Sequence, residues 1–579
     1  MLTLERINAA SATEFATLVA GAYERAPWIA VGAEAARPFR SVAHLKRALV
    51  EVVRAADATE QRTLLQSARS LAEAFTQGTR GPPNAAALEE FTRLDASYRE
   101  RFGFPFILAP AGPGARGLAL DEALATLRRR VKSHPAFEHG EGLRQLHRQA
   151  ELWLENAFGE SVSAGDLIWD WAEALALHRD AGPGEPLTVT YLTAAHQACS
   201  AQLQQWMREC GFDEVGRDQV GNVVASYRGS DPAGPRLLTG SHFDTVRNAG
   251  RYDGRLGIFV PMACVRALSS AGRRLPFGIE LVGFAEEEGQ RYATGFLGSS
   301  ALTGKFDPRW LAQQDQAGVT MGDAMRAAGL SADAAAIAAI RRDANQYLGF
   351  VEVHIEQGPV LTMLDLPLGV VTSINGSVRF LGEFTGMASH AGTTPMGQRR
   401  DAATGAAALA LYLEKRASSG TDLVGTVGIL EVPEGSINVI PGRCRFSLDI
   451  RATEDGQRDA CVHDVEREIA AICASRQLQV SLRETTRSPA SPCAPEWRER
   501  WERAVASLGL PVHRMPSGAG HDAMEIHHIM PQAMLFVRGL NSGISHNPLE
   551  AITNHDAELA VRAFTHLLEE LATGQGGRA

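Results

Sequence analysis

The hydrophobic pattern of this chain changes period once, and the change divides the sequence into two kinds of structure. From Leu4 to about Gly159, apolar residues recur every three or four positions, as in Phe15-Leu18-Val19, Leu45-Leu49-Val53, Leu64-Leu65-Leu71-Phe75 and Leu118-Leu120-Leu124-Leu127. That spacing lines one face of a helix, and no strand-rich segment interrupts it. After the small residues Gly159, Ser161, Ser163, Ala164 and Gly165, strand-like runs alternate with helical ones as far as Leu571. The fold class expected is multidomain: an all-α N-terminal domain, then an α/β body whose chemistry gathers at the C-terminal ends of its strands. At 579 residues the chain exceeds what one core serves, and three or four compact units are expected.

Within the alternating part, helices are predicted over 166–179 and 193–209, a strand over 222–227, a strand over 236–240, a helix over 257–271 and a strand over 279–285. This order predicts a mainly parallel sheet flanked by helices. Residues 305–342 are Ala-rich and helical, a surface insertion without visible chemistry. From about Ser373, strand-like runs at 378–385, 422–430 and 444–451 surround helices at 401–416 and 457–475, forming a ββαβ-like inserted module. The chain then returns to α/β with a helix at 496–506, a strand at 532–537 and a closing helix at 556–571. The expected domains are residues 1–160, all-α; 166–373 with 485–575, an α/β catalytic domain; and 374–484, an inserted α+β domain.

Charge and cysteine usage exclude several classes of function. The formal net charge is -10 and the pI about 6.0, so no basic surface invites nucleic acid or anionic lipid. Seven cysteines, odd in number and never spaced C-x-x-C, argue against a disulfide framework or a thiolate metal site. A cytoplasmic setting is expected. Residues 1–20 carry Glu5, Arg6 and Glu14 at helical spacing instead of a signal peptide's apolar run, and no stretch has membrane-spanning length.

The chemistry-bearing residues sit where predicted strands end. Gly240 to Gly257 follows a short apolar strand and carries His242, Asp244 and Asp253. His242 and Asp244 lie two apart and share a face of an extended chain, so the carboxylate can fix an imidazole that binds a metal. Taken alone, a His and two Asp beside glycines read as a polar loop. The next strand delivers Glu286-Glu287-Glu288, whose mutual repulsion at a sheet edge requires a compensating cation. Residues 349–358 place Glu352, His354 and Glu356 on one face of a strand, and His546 follows in a later loop. His242, Asp253, Glu288, His354 and His546 are nitrogen and oxygen donors suited to zinc or manganese, in a two-metal site with Asp253 as the bridge. Such a pair polarises a carbonyl and generates hydroxide near neutral pH, with Glu287 as the general base.

Two family resemblances follow. G-S-H-F-D-T-V, Y-D-G-R-L-G, E-E-E-G-Q-R, H-I-E-Q-G-P-V-L, S-H-A-G-T-T-P-M, S-G-A-G-H-D-A and I-S-H-N-P-L-E occur in this order. Over about 166–575 they resemble the allantoate amidohydrolase and N-carbamoyl-L-amino-acid hydrolase branch of the M20 metallopeptidase superfamily. The resemblance implies two divalent ions per subunit, Mn2+ or Zn2+, and a homodimer formed through the inserted domain. It implies a small ureide substrate touched by Gln357, His390, Asn438 and Arg451, with His390 lent to the opposite subunit. Arg451 reads equally as a surface ion pair, Asn438 as a turn residue, and His521 with Asp522 as groups that orient the loop at Ser517 and Gly518.

The first half, through A-P-W-I-A, R-P-F-R-S-V-A-H-L and Y-R-E-R-F-G-F-P-F-I, resembles the OHCU (2-oxo-4-hydroxy-4-carboxy-5-ureidoimidazoline) decarboxylases of urate breakdown. The place of that family's catalytic histidine holds Leu65 to Leu71 with no histidine, followed by a segment shortened to Gly78 through Asn84. General acid-base steps carry about two to four orders of magnitude in rate, so this domain is expected to be an impaired, structural remnant. His44, His134, His139 and His147 are expected to be ordinary exposed or half-buried side chains. Together the resemblances imply hydrolysis of the ureido group of allantoate to ureidoglycine, ammonia and carbon dioxide. The alternatives are an N-carbamoyl-L-amino-acid hydrolase and a bifunctional protein that still decarboxylates OHCU.

Overall fold

The computed structural model of the chain describes residues 1–76, 85–113, 116, 118–159, 161–182 and 184–575. The shortened segment 78–84, and the Gly81-Pro82-Pro83 break within it, lie outside the described residues. Among the described residues no helix is long and apolar enough to cross a membrane.

The helical period at the N-terminus yields α1 (Leu4–Ala9), α2 (Ala12–Val19), α3 (Pro27–Ala33), α4 (Val42–Ala55), α5 (Ala58–Gln66), α6 (Leu71–Thr76), α7 (Ala85–Phe102), α8 (Leu120–Arg130) and α9 (Pro135–Phe158). Ser11, Ser41 and Asp57 cap α2, α4 and α5 by accepting backbone N–H groups, as short polar side chains at helix starts do. The apolar stripes meet in a hydrophobic cluster drawn from residues 7–154 alone. The aromatic segment is part of that core: Tyr98 packs edge-on against Phe104 and Phe106, and its hydroxyl donates to the buried Glu138.

Contacts divide the chain into two compact units. One comprises Met1–Val370, Glu499–His513 and Leu535–Ala579; the other comprises Val371–Arg498 and Arg514–Met534. In the first unit, β1 (Glu214–Arg217), β2 (Val223–Tyr227), β3 (Arg236–His242), β4 (Gly278–Phe284) and β5 (Tyr347–Ile355) lie in the order β1-β2-β4-β3-β5. Beyond β5 come Gln532–Val537 and β6 (Leu368–Ile374), with Leu535 to Val537 antiparallel to Val370 to Leu368. The expectation of a mainly parallel sheet is therefore corrected. β3 runs parallel to β4 and β5, but β1 and β2 join antiparallel on one side and β6 joins antiparallel on the other. Residue period tells strand from helix; it does not carry strand direction.

The parallel centre fixes the site. His242 is abreast of Phe284, and Thr239 is abreast of Val351, so β3, β4 and β5 end level with one another. Whatever follows those ends is brought together.

In the second unit a sheet orders β10 (Leu430–Glu431), β12 (Arg443–Ala452), β7 (Gly376–Thr385) and β13 (Gln479–Ser488), with β9 (Leu423–Thr426) also paired to β12. The ribbon β8 (Ser389–His390) and β11 (Val439–Ile440) stands apart from it. Helices Ala402–Ser418 and Asp455–Arg476 cover one face over their own hydrophobic cluster.

Candidate metal centre

His242 is the last residue of β3, and its ring is buried. Its Nδ1 faces the Asp244 backbone oxygen at 3.2 Å and the Asp244 carboxylate at 3.4 Å, which holds the proton on Nδ1 and leaves Nε2 as a lone pair. His354 near the end of β5 is arranged alike, with Nδ1 2.8 Å from the Ile355 oxygen. Both Nε2 atoms point at one carboxylate oxygen, Asp253 Oδ1, from 3.7 Å and 3.2 Å. Among the described residues, that buried oxygen has no hydrogen-bonded partner of good geometry. The other oxygen, Asp253 Oδ2, lies 3.2 Å from His546 Nε2, which is 3.5 Å from Glu288 Oε1.

These residues form two triads sharing Asp253: His242, Asp253 and His354, and Asp253, Glu288 and His546. Donors about 2.0–2.1 Å from one ion at tetrahedral angles stand roughly 3.4 Å apart. The observed separations match that spacing, so the donor set fits a divalent ion in each triad. Glu287 falls in a third group with His242 and Glu288, beside the candidate donors of the other two.

The electrostatics describe carboxylates crowded around a place for a cation. Burial, then the Asp253 charge, pushes Glu288 up to about 7. Glu286, fully buried, is raised well above the usual carboxylate range by burial and by Asp244. Burial opposes charge on Asp253 too, but the three surrounding histidines hold its pKa well below normal. Hydrogen bonding to Asp253 raises His546, although desolvation opposes it. Asp244 also accepts the N–H groups of Glu287 and Glu288, at 3.1 Å each, and so ties the end of β4 to that of β3.

Backbone shape matters at two glycines. Gly254 has φ +68°, and a Cβ there would stand 2.5 Å from the His242 ring. Gly543, at φ +68°, sits so close to Gly358 that a Cβ would meet its carbonyl oxygen at 1.6 Å. Only glycine serves at such contacts with such torsions.

Of the predicted substrate residues, Gln357 reaches the donor cluster: its amide nitrogen donates to Asp253 Oδ2 at 3.0 Å. His390, Asn438 and Arg451 belong to the second unit. His390 pairs with Val439 across the ribbon, and its Nδ1 accepts from the Gly392 and Thr393 N–H groups. The neighbouring Asn438 is exposed, and its side chain accepts from Ser436. Arg451 grips Asp449 with Nε and Nη2 at 2.9 and 2.8 Å and donates to the Gly518 carbonyl from Nη1. The ion-pair reading of Arg451 thus has a partner in the structure. His521 Nε2 is 2.8 Å from Ser517 Oγ, inside the loop it was expected to orient.

Sequence reasoning missed Glu550 and Ser545. Glu550 is buried and accepts the N–H groups of Tyr252 at 2.8 Å and Asp253 at 3.1 Å, while Ser545 donates to it at 2.7 Å. Ser545 also lies 3.2 Å from Asp253 Oδ2. Burial, then Asp253, pushes Glu550 up to about 7. Both residues stand within I-S-H-N-P-L-E, where a serine and a glutamate flanking a ligand-type histidine are the signal that marks them.

In the helical module, the stretch expected to lack a catalytic histidine lines a cavity of about 380 Å3 with Tyr23, Glu24, Arg25, Gln149 and Trp153. No histidine is among its described lining residues. His147 corrects another expectation, since it is almost wholly buried, not exposed or half-buried.

Comparison with known proteins agrees with both halves. Residues 238–570 match the model of peptidase family M20/M25/M40, and residues 8–155 match that of the OHCU decarboxylases. An N-carbamoyl-L-amino acid amidohydrolase of Geobacillus stearothermophilus is 35% identical over 68% of this chain and 95% of its own length. A probable allantoate deiminase of rice, Oryza sativa subsp. japonica, is 36% identical over 66% of this chain and 84% of its own. The solved structure of a hydantoinase/carbamoylase family amidase from Burkholderia multivorans superposes with TM-score 0.66 at 29% identity, covering 70% of this chain and 98% of that one. With strand ends, donor set and ordered motifs in agreement, the chain belongs to peptidase family M20/M25/M40, as a hydrolytic enzyme that carries an OHCU decarboxylase-like module before its α/β body.

Proposed function

We propose that the chain is an allantoate amidohydrolase, hydrolysing the ureido group of allantoate to ureidoglycine, ammonia and carbon dioxide. The observation that carries this reading is the pair of donor triads sharing Asp253. Two divalent ions, Mn2+ or Zn2+, held there by His242, Asp253, Glu288, His354 and His546, would polarise the ureido carbonyl and supply hydroxide near neutral pH. Glu287 takes the proton of the attacking water and returns it to the leaving nitrogen. Asp244 fixes the tautomer of His242. Gln357 contacts the ureido amide, Arg451 and Asn438 take the substrate carboxylate, and His390 serves the site of the opposite subunit in a homodimer. An Arg fork suits a carboxylate because it binds bidentately. Asp449 occupies that fork here, so substrate must compete with it or share it. The domain scheme proposed is 1–160, 166–373 with 485–575, and 374–484, in a cytoplasmic enzyme.

Allantoate is preferred over N-carbamoyl amino acids because an OHCU decarboxylase-like module precedes the body, and that family's product is one ring-opening step from allantoate. The relative from Geobacillus stearothermophilus keeps the carbamoylase reading in play. Full-length protein should release ammonia from allantoate with kcat/KM well above that for N-carbamoyl-L-amino acids; the reverse ranking would replace the assignment. The same preparation given fresh OHCU should form allantoin no faster than the spontaneous reaction and without enantioselectivity.

A further inference from the structure

The loop between Gln532–Val537 and the closing helix Asn554–Gln575 carries His546, Ser545 and Glu550, and it is an unusual piece of backbone. Asn541, Ser542 and His546 are non-glycine residues at φ +54°, +64° and +54°. Left-handed torsions cost of order 1–3 kcal/mol each and persist only where surroundings over-determine them. A cavity of about 740 Å3 lies against Asn541, Leu549 and Glu550.

The helical module reaches this loop with hydrogen bonds. Arg129 on α8 donates from Nη2 to Asn541 Oδ1 at 2.7 Å, and Asn541 Nδ2 donates to the Leu549 carbonyl at 2.6 Å. Leu549 adjoins Glu550, whose carboxylate accepts from Asp253 and Ser545. Farther along, Arg148 on α9 reaches Asn554 Oδ1 and His555 Nδ1, at 2.6 Å each, where the loop enters the closing helix. The loop is thus gripped at both ends by arginines of the module whose Leu65 to Leu71 stretch contains no histidine.

We propose that the OHCU decarboxylase-like module is a positioning element of the hydrolase, and that Arg129, through Asn541 and Leu549, holds the His546 loop in its metal-binding shape. This rests on the reading that His546 and Glu288 hold an ion with Asp253. Groups one step behind metal ligands commonly govern affinity or activity by about 10–100-fold. Removing the bridge should weaken one of two bound ions and leave the His242–His354 ion in place.

The test uses the full chain as wild type, Arg129→Met, Arg129→Lys, Asn541→Gly, the Arg129→Met/Asn541→Gly double variant and His546→Ala. Metal stoichiometry and affinity are measured by titration of the metal-free protein with Zn2+ and separately with Mn2+, alongside the melting temperature and the split between kcat and KM. Expected are about tenfold weaker binding of one ion and a lower kcat at similar KM in Arg129→Met, with little change in melting temperature. Arg129→Lys should recover part of the loss, and the double variant should be no worse than Asn541→Gly alone, whose glycine tolerates the left-handed torsion. If His546→Ala loses an ion but Arg129→Met and Asn541→Gly both bind two like wild type, the proposal is wrong and the metal reading stands. If His546→Ala itself keeps both ions unchanged, the metal reading is wrong and takes the proposal with it. Equal weakening of both ions with a large fall in melting temperature would mean that Arg129 only supports the fold, which also overturns the proposal.

Discussion

Asp253 is the residue on which the centre turns, since each of its oxygens faces a different set of imidazoles. Its neighbours separate two jobs that mutation can distinguish. Glu287 lies beside the candidate donors without completing either triad through Asp253, so on the proposed reading Glu287→Gln should bind metal as wild type does while kcat falls by about two to four orders of magnitude, the usual worth of general acid-base help. His242→Ala removes a donor and should lose an ion together with activity. Metal analysis and turnover on the same samples check both, and a fully active Glu287→Gln would eliminate it as the base. Legibility was uneven at this scale. The five donors were readable because each is a ligand-type side chain at a strand end or in a glycine-marked loop. Glu550 was not, because its role comes from accepting the N–H groups of residues some three hundred positions away in sequence, a contact that no local pattern encodes.

Elements convert those side chains into a site, and the loop from β3 to the helix Leu256–Ser270 shows how closely they must fit. Gly254 lets that loop turn directly beneath His242. Gly254→Ala demands both a strained torsion, roughly 1–3 kcal/mol, and a displaced imidazole. It should therefore bind metal at least about tenfold more weakly, by titration, than wild type; unchanged affinity would show that the loop can move aside at no cost. Most elements of the body were legible in the sequence: the strand expected over 279–285 forms as Gly278–Phe284, and the helix expected over 257–271 forms as Leu256–Ser270. Apolar period and flanking glycines fix such segments locally. Sheet order and direction were not legible, because the antiparallel placing of β2 beside β4 depends on which edge each strand reaches in three dimensions.

Across the whole molecule, the two kinds of structure announced by the sequence meet on buried charge. His147 of α9 is 2.6 Å from the Tyr23 hydroxyl through Nδ1 and 3.5 Å from Asp365 Oδ2 through Nε2, and Arg538 joins Asp365 to Asp556. Burial lowers the His147 pKa to about 4; Asp365 opposes the change, whereas Lys46, Arg538 and Arg54 add to it. Between pH 6.5 and about 4 the unfolded chain therefore binds a proton that the folded chain refuses, so stability rises with pH in that window. The contribution is fully present above pH 6.5 and is lost as pH falls towards 4. The gap between 6.5 and about 4 corresponds to about 3 kcal/mol. Other buried groups also respond to acid, so the informative quantity is the difference between wild type and His147→Gln, which keeps a hydrogen-bonding side chain but cannot be protonated. The advantage of wild type over the variant, read from denaturant midpoints, should shrink by about 2–3 kcal/mol between pH 7 and pH 4.5. A difference that stays constant with pH would mean that His147 accepts its proton as readily in the folded chain as in the unfolded one.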